Sequence, residues 1–168
     1  MVEPWTAPIA YHLATREAVA MGGQGAVLAD FVRSSGPLRG QALHRLAMGC
    51  AAAMAKLHAR GAAGLRLGPR TVALGTRGQV LIGWQASAAD DGGAMAEDVR
   101  DWADLVVFAA TGSQHGDLSV LTPALRAAVE ECRRPDAAAR PQAGHLLRVL
   151  LGHSMAAAVA SVDDLLAG

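Results

Sequence analysis

Residues 53–61 read AMAKLHARG and close a long helical pattern. From about Arg39 to Arg60, apolar residues recur every three or four positions and no proline interrupts them. These apolar positions are Leu43, Leu46, Ala47, Cys50, Ala53, Met54 and Leu57. The spacing predicts a long helix with one buried stripe. Gly61 is a natural C-terminal cap, so we expect the helix to end there and to lead into a loop.

Two short apolar runs follow this loop, from Thr71 to Leu74 and from Gln79 to Ile82, and the glycine-containing turn between them predicts a β-hairpin. Residues 85–96 are small and polar, which predicts another loop. The helical period returns from Asp98 to Thr111, where apolar residues occupy almost every side. Such a helix should be buried nearly all round, as a central helix is.

The flanking elements are shorter. The segment from Ile9 to Leu13 is a candidate strand, and Val27 to Arg33 is a candidate amphipathic helix. Downstream, helical patterns run from Pro123 to Cys132, from Gln142 to Leu151 and from Ser154 to Leu166. The predicted fold is therefore mainly α, with one or two short β-hairpins.

The amino-acid composition limits the kinds of core and of binding partner that the protein can have. Apolar residues make up 52% of the 168 residues and aromatic residues 4%, so the core must consist mainly of Ala, Leu and Val. Fifteen Lys and Arg residues balance 15 Asp and Glu residues, which argues against nucleic acid or an anionic membrane as a partner. Cys50 and Cys132 lie in apolar helical patterns, so we expect buried, reduced thiols in a cytoplasmic protein.

Five short motifs, in this order along the chain, resemble segments of a known protein family. They are FVRSSGPL at residues 31–38, AMAKLHARG at 53–61, DVRDW at 98–102, FAATG at 108–112 and CRRPDAAARP at 132–141. Together they resemble the segment after the hinge, the long helix before the catalytic loop, the buried central helix and the ending of actinobacterial-type Ser/Thr protein kinases. The resemblance implies a kinase-like C-terminal lobe, a helical bundle with the N-terminal lobe largely absent.

The resemblance divides the chain into three parts. Residues 1–25 would be a hinge-like remnant, residues 26–152 the C-lobe-like domain, and residues 153–168 a helical extension. The ATP-binding lobe and its lysine have no counterpart, because the single lysine, Lys56, belongs to the long helix.

The positions that match kinase catalytic residues carry other side chains. The His-Arg-Asp motif of kinases is matched by residues 64–66, so that Arg66 stands where the catalytic Asp would be. The magnesium-binding Asn falls on Thr71, and the metal-binding Asp of Asp-Phe-Gly falls on Gly83. Phosphoryl transfer needs these carboxylates to orient the acceptor and to hold magnesium. The resemblance therefore implies no catalytic residue, no metal and no cofactor.

Two further positions, Asp98 and Arg140, match residues that support the kinase fold. Asp98 would accept backbone N–H bonds from the catalytic loop. Trp102 lies on the apolar side of the same helical pattern, so we expect it in the core. Arg140 would pair with a Glu of the activation segment, for which Glu97 is a substitute, and we expect either a partner carboxylate or exposure. His58 is interpreted as a packing residue of the long helix, because the histidines lack metal-ligand spacing.

These observations favour a catalytically inactive pseudokinase fragment that acts as a protein-interaction, scaffold or regulatory subunit. It would bind another chain, or itself, through the face left by the missing lobe, with Trp84, Arg66 and Arg70 as candidate contacts. One alternative is a split or repurposed phosphotransferase completed by a partner chain, with Asp90, Asp91 and Glu97 as its nearby carboxylates. Another is a relic cleft that binds a small molecule.

Overall fold

The computed structural model describes residues 11–15, 25–75, 80–84, 93–153 and 166. Within those residues the chain forms four strands and five α-helices. The strands are β1 (Tyr11–Thr15), β2 (Gly25–Val27), β3 (Val72–Gly75) and β4 (Val80–Trp84). The helices are α1 (Leu28–Ser35), α2 (Gly40–Ala59), α3 (Gly93–Thr111), α4 (Pro123–Cys132) and α5 (143–153). The predicted mainly α fold is confirmed.

The four strands form one sheet in the order β1-β4-β3-β2. β3 and β4 are antiparallel, with Val72 opposite Ile82, which confirms the predicted hairpin. β2 extends the sheet antiparallel to β3, and β1 pairs in parallel with β4. The strand predicted near the N-terminus therefore exists, two residues later than expected, and Ile9 itself lies outside the described residues.

Helix α2 ends in a turn that directs the chain toward the sheet. Gly61 has a φ of +81°, which favours glycine, and its N–H donates to the carbonyl of His58 over 3.0 Å. The N–H of Ala62 donates to the carbonyl of Leu57 over 2.9 Å. These two bonds form a Schellman motif, which satisfies carbonyls that the helix leaves unpaired. The seven apolar positions predicted for this helix are all buried.

Helix α3 packs against both α2 and α4 and supplies much of the core. The side chain of Trp102 is fully buried, and its Nε1 donates to the carbonyl of Ala47 in α2 over 3.0 Å. The helix begins at Gly93, five residues before the predicted start at Asp98. Residues 93–96 were predicted as loop because they show no apolar period. The structure explains why: this first turn is exposed or only partly buried, and its Ala and Met residues favour helix without a buried face.

The remaining helices follow the predicted pattern. α4 has the predicted bounds, with Pro123 at its first turn and Thr122 as N-cap. Cys132 in α4 and Cys50 in α2 are free, buried thiols, and burial raises the pKa of each to about 12. Most of the helix predicted from Ser154 to Leu166, like most of the N-terminal segment, lies outside the described residues. In the described part of the chain, no helix is both long and apolar enough to cross a membrane.

Candidate functional site

The loop between α2 and β3, residues 62–71, surrounds a buried carboxylate. Asp98, in the second turn of α3, is 1% exposed. Its Oδ1 accepts from the N–H of Leu65 over 2.8 Å, and its Oδ2 accepts from the N–H of Gly64 over 3.0 Å. Gly64 and Arg66 have positive φ values, 73° and 55°. A backbone that alternates between left-handed and right-handed conformations points successive N–H groups at an anion. The loop is therefore folded around the Asp98 carboxylate.

His58 adds a third contact to the same carboxylate. Its Nε2 lies 2.8 Å from Asp98 Oδ2, and its side chain is 9% exposed. His58 was predicted to be a packing residue, and its hydrogen bond to Asp98 was not predicted. The position of this histidine in the last turn of α2, directly before the loop that surrounds Asp98, is the feature of the sequence that could have indicated the bond. His58 and Asp98 therefore tie α2, the loop and α3 together.

Thr71 fixes the other end of the loop. Its Oγ1 accepts from the N–H of Gly68 over 3.0 Å and lies 3.0 Å from the carbonyl oxygen of Arg66, to which it donates. The carbonyl of Thr71 accepts from the N–H of Gly83 in β4 over 2.7 Å. The three positions that match lost catalytic residues, Arg66, Thr71 and Gly83, are thus brought together by hydrogen bonds.

The candidate partner contacts lie on this loop and on β4. Arg66 and Arg70 are exposed, and neither side chain has a hydrogen bond or ion pair among the described residues. The backbone of Trp84 pairs with Thr15 of β1, while its side chain lies outside the described part of the structure. Gln85, Asp90 and Asp91 also lie outside it.

Arg140 pairs with no carboxylate of the described residues, and it is only partly exposed. It is half-buried, its Nε donates to the carbonyl of Arg134 over 2.8 Å, and its Nη1 donates to the carbonyl of Ala96 over 3.1 Å. In place of the expected carboxylate, backbone carbonyls bind the partly exposed guanidinium: that of Ala96 in the first turn of α3 and those of Arg134 and Pro135 after α4. Glu97 is exposed and forms no ion pair with a described residue.

Acidic side chains follow one another along α3. Burial is the main cause of a pKa of about 6 at Asp101, and the carboxylates of Asp98 and Asp104 add to it. Glu97 acts in the same direction, and Arg100 opposes it. The row does not amount to a metal site, because no group of three or more His, Cys, Asp or Glu side chains with suitable placement occurs among the described residues.

The raised pKa of Asp101 predicts a pH-dependent stability difference. The unfolded chain loses this proton near pH 4 and the folded chain near pH 6, so the destabilisation of the fold by this group grows between pH 4 and pH 6 and is complete above about pH 6. Asp101→Asn should therefore raise the free energy of unfolding at pH 8, by less than about 1 kcal/mol because the half-exposed group is screened by solvent. Urea unfolding of both proteins at pH 8 and pH 4 checks this, and an equal gain at pH 4 would contradict it.

The described residues of the sheet do not expose large apolar side chains of the kind that mark a contact face. Val72, Val80 and Ile82 of the sheet are buried. Among the described residues, the large apolar side chains that are exposed are Val120, Val149 and Leu166, which lie elsewhere. The partner face at the sheet stays a prediction.

A cavity of about 890 Å³ lies at the other end of α2. Its lining includes Leu43, His44, Ala110, Leu125, Leu150 and His153. No residue of the 62–71 loop lines it, so it is separate from the predicted relic cleft, and the chemistry of the catalytic-loop positions gives no reason to place the function there.

Comparison with known proteins finds a likeness in structure but none in sequence family. No protein-family model matches the sequence, and no curated protein matches it. The chain is similar to the crystal structure of Rad53 1-466, a protein kinase, in complex with AMP-PNP, with a TM-score of 0.61 and 17% identity. The match covers 73% of this chain and 43% of that chain. At this identity the likeness shows the fold alone: the chain has a kinase-like, mainly helical fold and spans less than half of the kinase chain.

Proposed function

We propose that this chain is a catalytically inactive kinase-like module that works by binding another protein, as a scaffold or regulatory subunit. One observation carries the proposal. No Asp or Glu occurs anywhere from residue 31 to residue 89, and this stretch includes both segments that match the catalytic and metal-binding loops of kinases. A proton acceptor and magnesium ligands are what phosphoryl transfer requires at those positions.

The nearest buried carboxylate does not replace the missing ones. Both oxygens of Asp98 accept hydrogen bonds from the loop backbone, and Oδ2 also contacts His58. A carboxylate held in this way is a structural anchor, because three of its roughly four acceptor positions are occupied and only 1% of the residue is exposed to a substrate or a metal ion. Arg66, at the base position, is a permanent cation and cannot accept a proton.

The loop nevertheless keeps a defined shape. Asp98 holds one end and Thr71 the other, and Arg66 is kept at a positive φ between them. Backbone strain at a non-glycine residue persists where the surroundings impose it, and it often accompanies a binding site. This supports a role in presenting side chains, with Arg66, Arg70 and Trp84 as the proposed contacts. The two buried, free thiols are in keeping with a cytoplasmic location.

The proposal predicts that the protein does not transfer phosphate. Incubated with γ-labelled ATP, magnesium and a general protein acceptor, it should give no label above the protein-free reaction, because no carboxylate orients the acceptor or holds the metal. An active kinase assayed in parallel is the control.

Transfer that is lost on replacing Asp90, Asp91 and Glu97 by their amides would contradict the proposal. That result would favour the alternative of a repurposed phosphotransferase, in which these carboxylates, near the start of α3, take over the catalytic role.

A further inference from the structure

Charge is distributed unevenly along this neutral chain. Residues 31–89 contain no Asp or Glu, yet eight of the 15 basic residues lie within them. They are Arg33, Arg39, Arg45, Lys56, Arg60, Arg66, Arg70 and Arg77. The overall charge of zero therefore conceals a segment that is basic throughout.

Four of these cations gather where α2 ends. Lys56 and Arg60 lie one turn apart at the end of the helix, and Arg66 and Arg70 lie in the loop that follows. All four are exposed, and none has an ion pair with another described residue. We call these four residues the basic loop cluster.

The other arginines of the described structure divide into two groups. Arg39, Arg45, Arg100, Arg140 and Arg148 likewise form no ion pair with a described residue. Arg33, Arg126, Arg133 and Arg134 each form an ion pair with a carboxylate. The described structure pairs none of the four cations of the basic loop cluster with a carboxylate, and Arg66 and Arg70 differ from the other such arginines in lying on one short turn.

The loop backbone brings Arg66 and Arg70 close together. The carbonyl oxygen of Arg66 lies 3.0 Å from the hydroxyl of Thr71, the residue next to Arg70, so residues 66–71 form a closed turn. The turn is anchored below by Asp98, which bonds the two residues that precede Arg66. Two arginine side chains that leave one closed turn can reach a common anion, and the fixed backbone reduces the conformational entropy lost on binding.

We propose that Arg66 and Arg70 bind a phosphate monoester carried by a peptide of the partner protein. This rests on the proposed function, since it names the chemistry of the partner. A guanidinium donates two parallel hydrogen bonds to phosphate oxygens, and a phosphorylated side chain carries close to two negative charges at neutral pH. Two arginines on one turn, neither of them ion-paired with a described residue, match that charge.

An extended nucleic acid fits the surface less well. The affinity of a protein for nucleic acid grows with the number of phosphates that its cations neutralise, and the basic loop cluster offers only four cations. Glu97, exposed at the start of α3 beside Asp98, would also repel a long polyanion that ran past the loop. A single phosphate avoids that repulsion because it occupies less space.

The test is a calorimetric titration with a phosphothreonine peptide flanked by alanines, the same peptide without phosphate, and inorganic phosphate. The phosphopeptide should bind with saturation, and the unphosphorylated peptide should not bind. Arg66→Gln and Arg70→Gln should each weaken binding about tenfold or more, since each removes charge-assisted hydrogen bonds. Arg126→Gln, an exposed arginine on α4 that pairs with Glu130, should bind like the unaltered protein.

Several outcomes would overturn the proposal. They are no saturable binding, an equal loss in Arg126→Gln, inorganic phosphate binding as tightly as the phosphopeptide, and tighter binding of a single-stranded oligonucleotide that depends on the same arginines. Unchanged unfolding temperatures of the two loop variants would show that they fold. The proposed function itself fails by a different result, phosphate transfer from ATP, so the two failures are distinguishable.

Discussion

Replacing Asp98 by alanine is expected to lower the free energy of unfolding by about 3 to 5 kcal/mol. The change removes an acceptor that is 1% exposed and that receives the N–H groups of Gly64 and Leu65 as well as a bond from His58. All of these groups would lose a buried partner, and an unsatisfied buried donor carries its full cost of desolvation. Urea unfolding monitored by circular dichroism measures the difference.

Two further variants make this result specific. Asp30→Ala removes an exposed carboxylate that pairs with Arg33, and it should change the free energy of unfolding by no more than about 0.5 kcal/mol. Asp98→Asn keeps the volume and one acceptor oxygen, so its cost should be smaller than that of Asp98→Ala. A cost for Asp98→Ala as small as that of Asp30→Ala would mean that the loop is not held by this carboxylate.

Replacing Trp102 by alanine is expected to cost about 3 to 5 kcal/mol. The indole is fully buried in the helix that packs against both α2 and α4, and its Nε1 bonds the carbonyl of Ala47 over 3.0 Å. Removal creates a large cavity at the centre of the fold and also removes the hydrogen bond from Nε1 to the carbonyl of Ala47. Chemical unfolding again gives the value.

Trp102→Phe separates these two contributions. It retains most of the apolar contact but loses the hydrogen bond, so it should cost about 1 to 3 kcal/mol. Val120→Ala, at a side chain that is 58% exposed, serves as the control and should lie within about 0.5 kcal/mol of the unaltered protein. Equal costs for Trp102→Ala and Val120→Ala would place Trp102 outside the core.

Helix patterns could be predicted from the sequence where one face is buried. Helix α4 was predicted with its observed bounds, and α2 to within one residue at each end, because apolar periodicity, Pro123 and Gly61 all act locally. The start of α3 was missed since its first turn is only partly buried and therefore shows no period. The parallel pairing of β1 with β4 joins residues far apart in sequence, which local patterns do not encode.

The site was predictable where the family resemblance supplied a role. That resemblance placed Asp98 beneath the loop, whereas the apolar period of its helix placed Trp102 in the core, and the contacts of both residues have this character. It did not supply the His58 bond or the backbone partners of Arg140, because both depend on how separate elements meet in three dimensions. The closed turn that joins Arg66 to Thr71 was also invisible, since it arises from a side-chain bond to the backbone within an irregular loop.

The central claim is that the kinase-like fold persists without a nucleotide site. The most direct measurement is the unfolding temperature of the Arg66→Gln/Arg70→Gln variant with ATP, in the presence and absence of magnesium. This variant removes the arginines that could bind the phosphates of ATP by charge alone. A nucleotide at a hundred times its dissociation constant would add about 2.7 kcal/mol to the stability of the folded state. The account predicts no magnesium-dependent shift, whereas a clear rise that requires magnesium would reveal a working nucleotide site and contradict it.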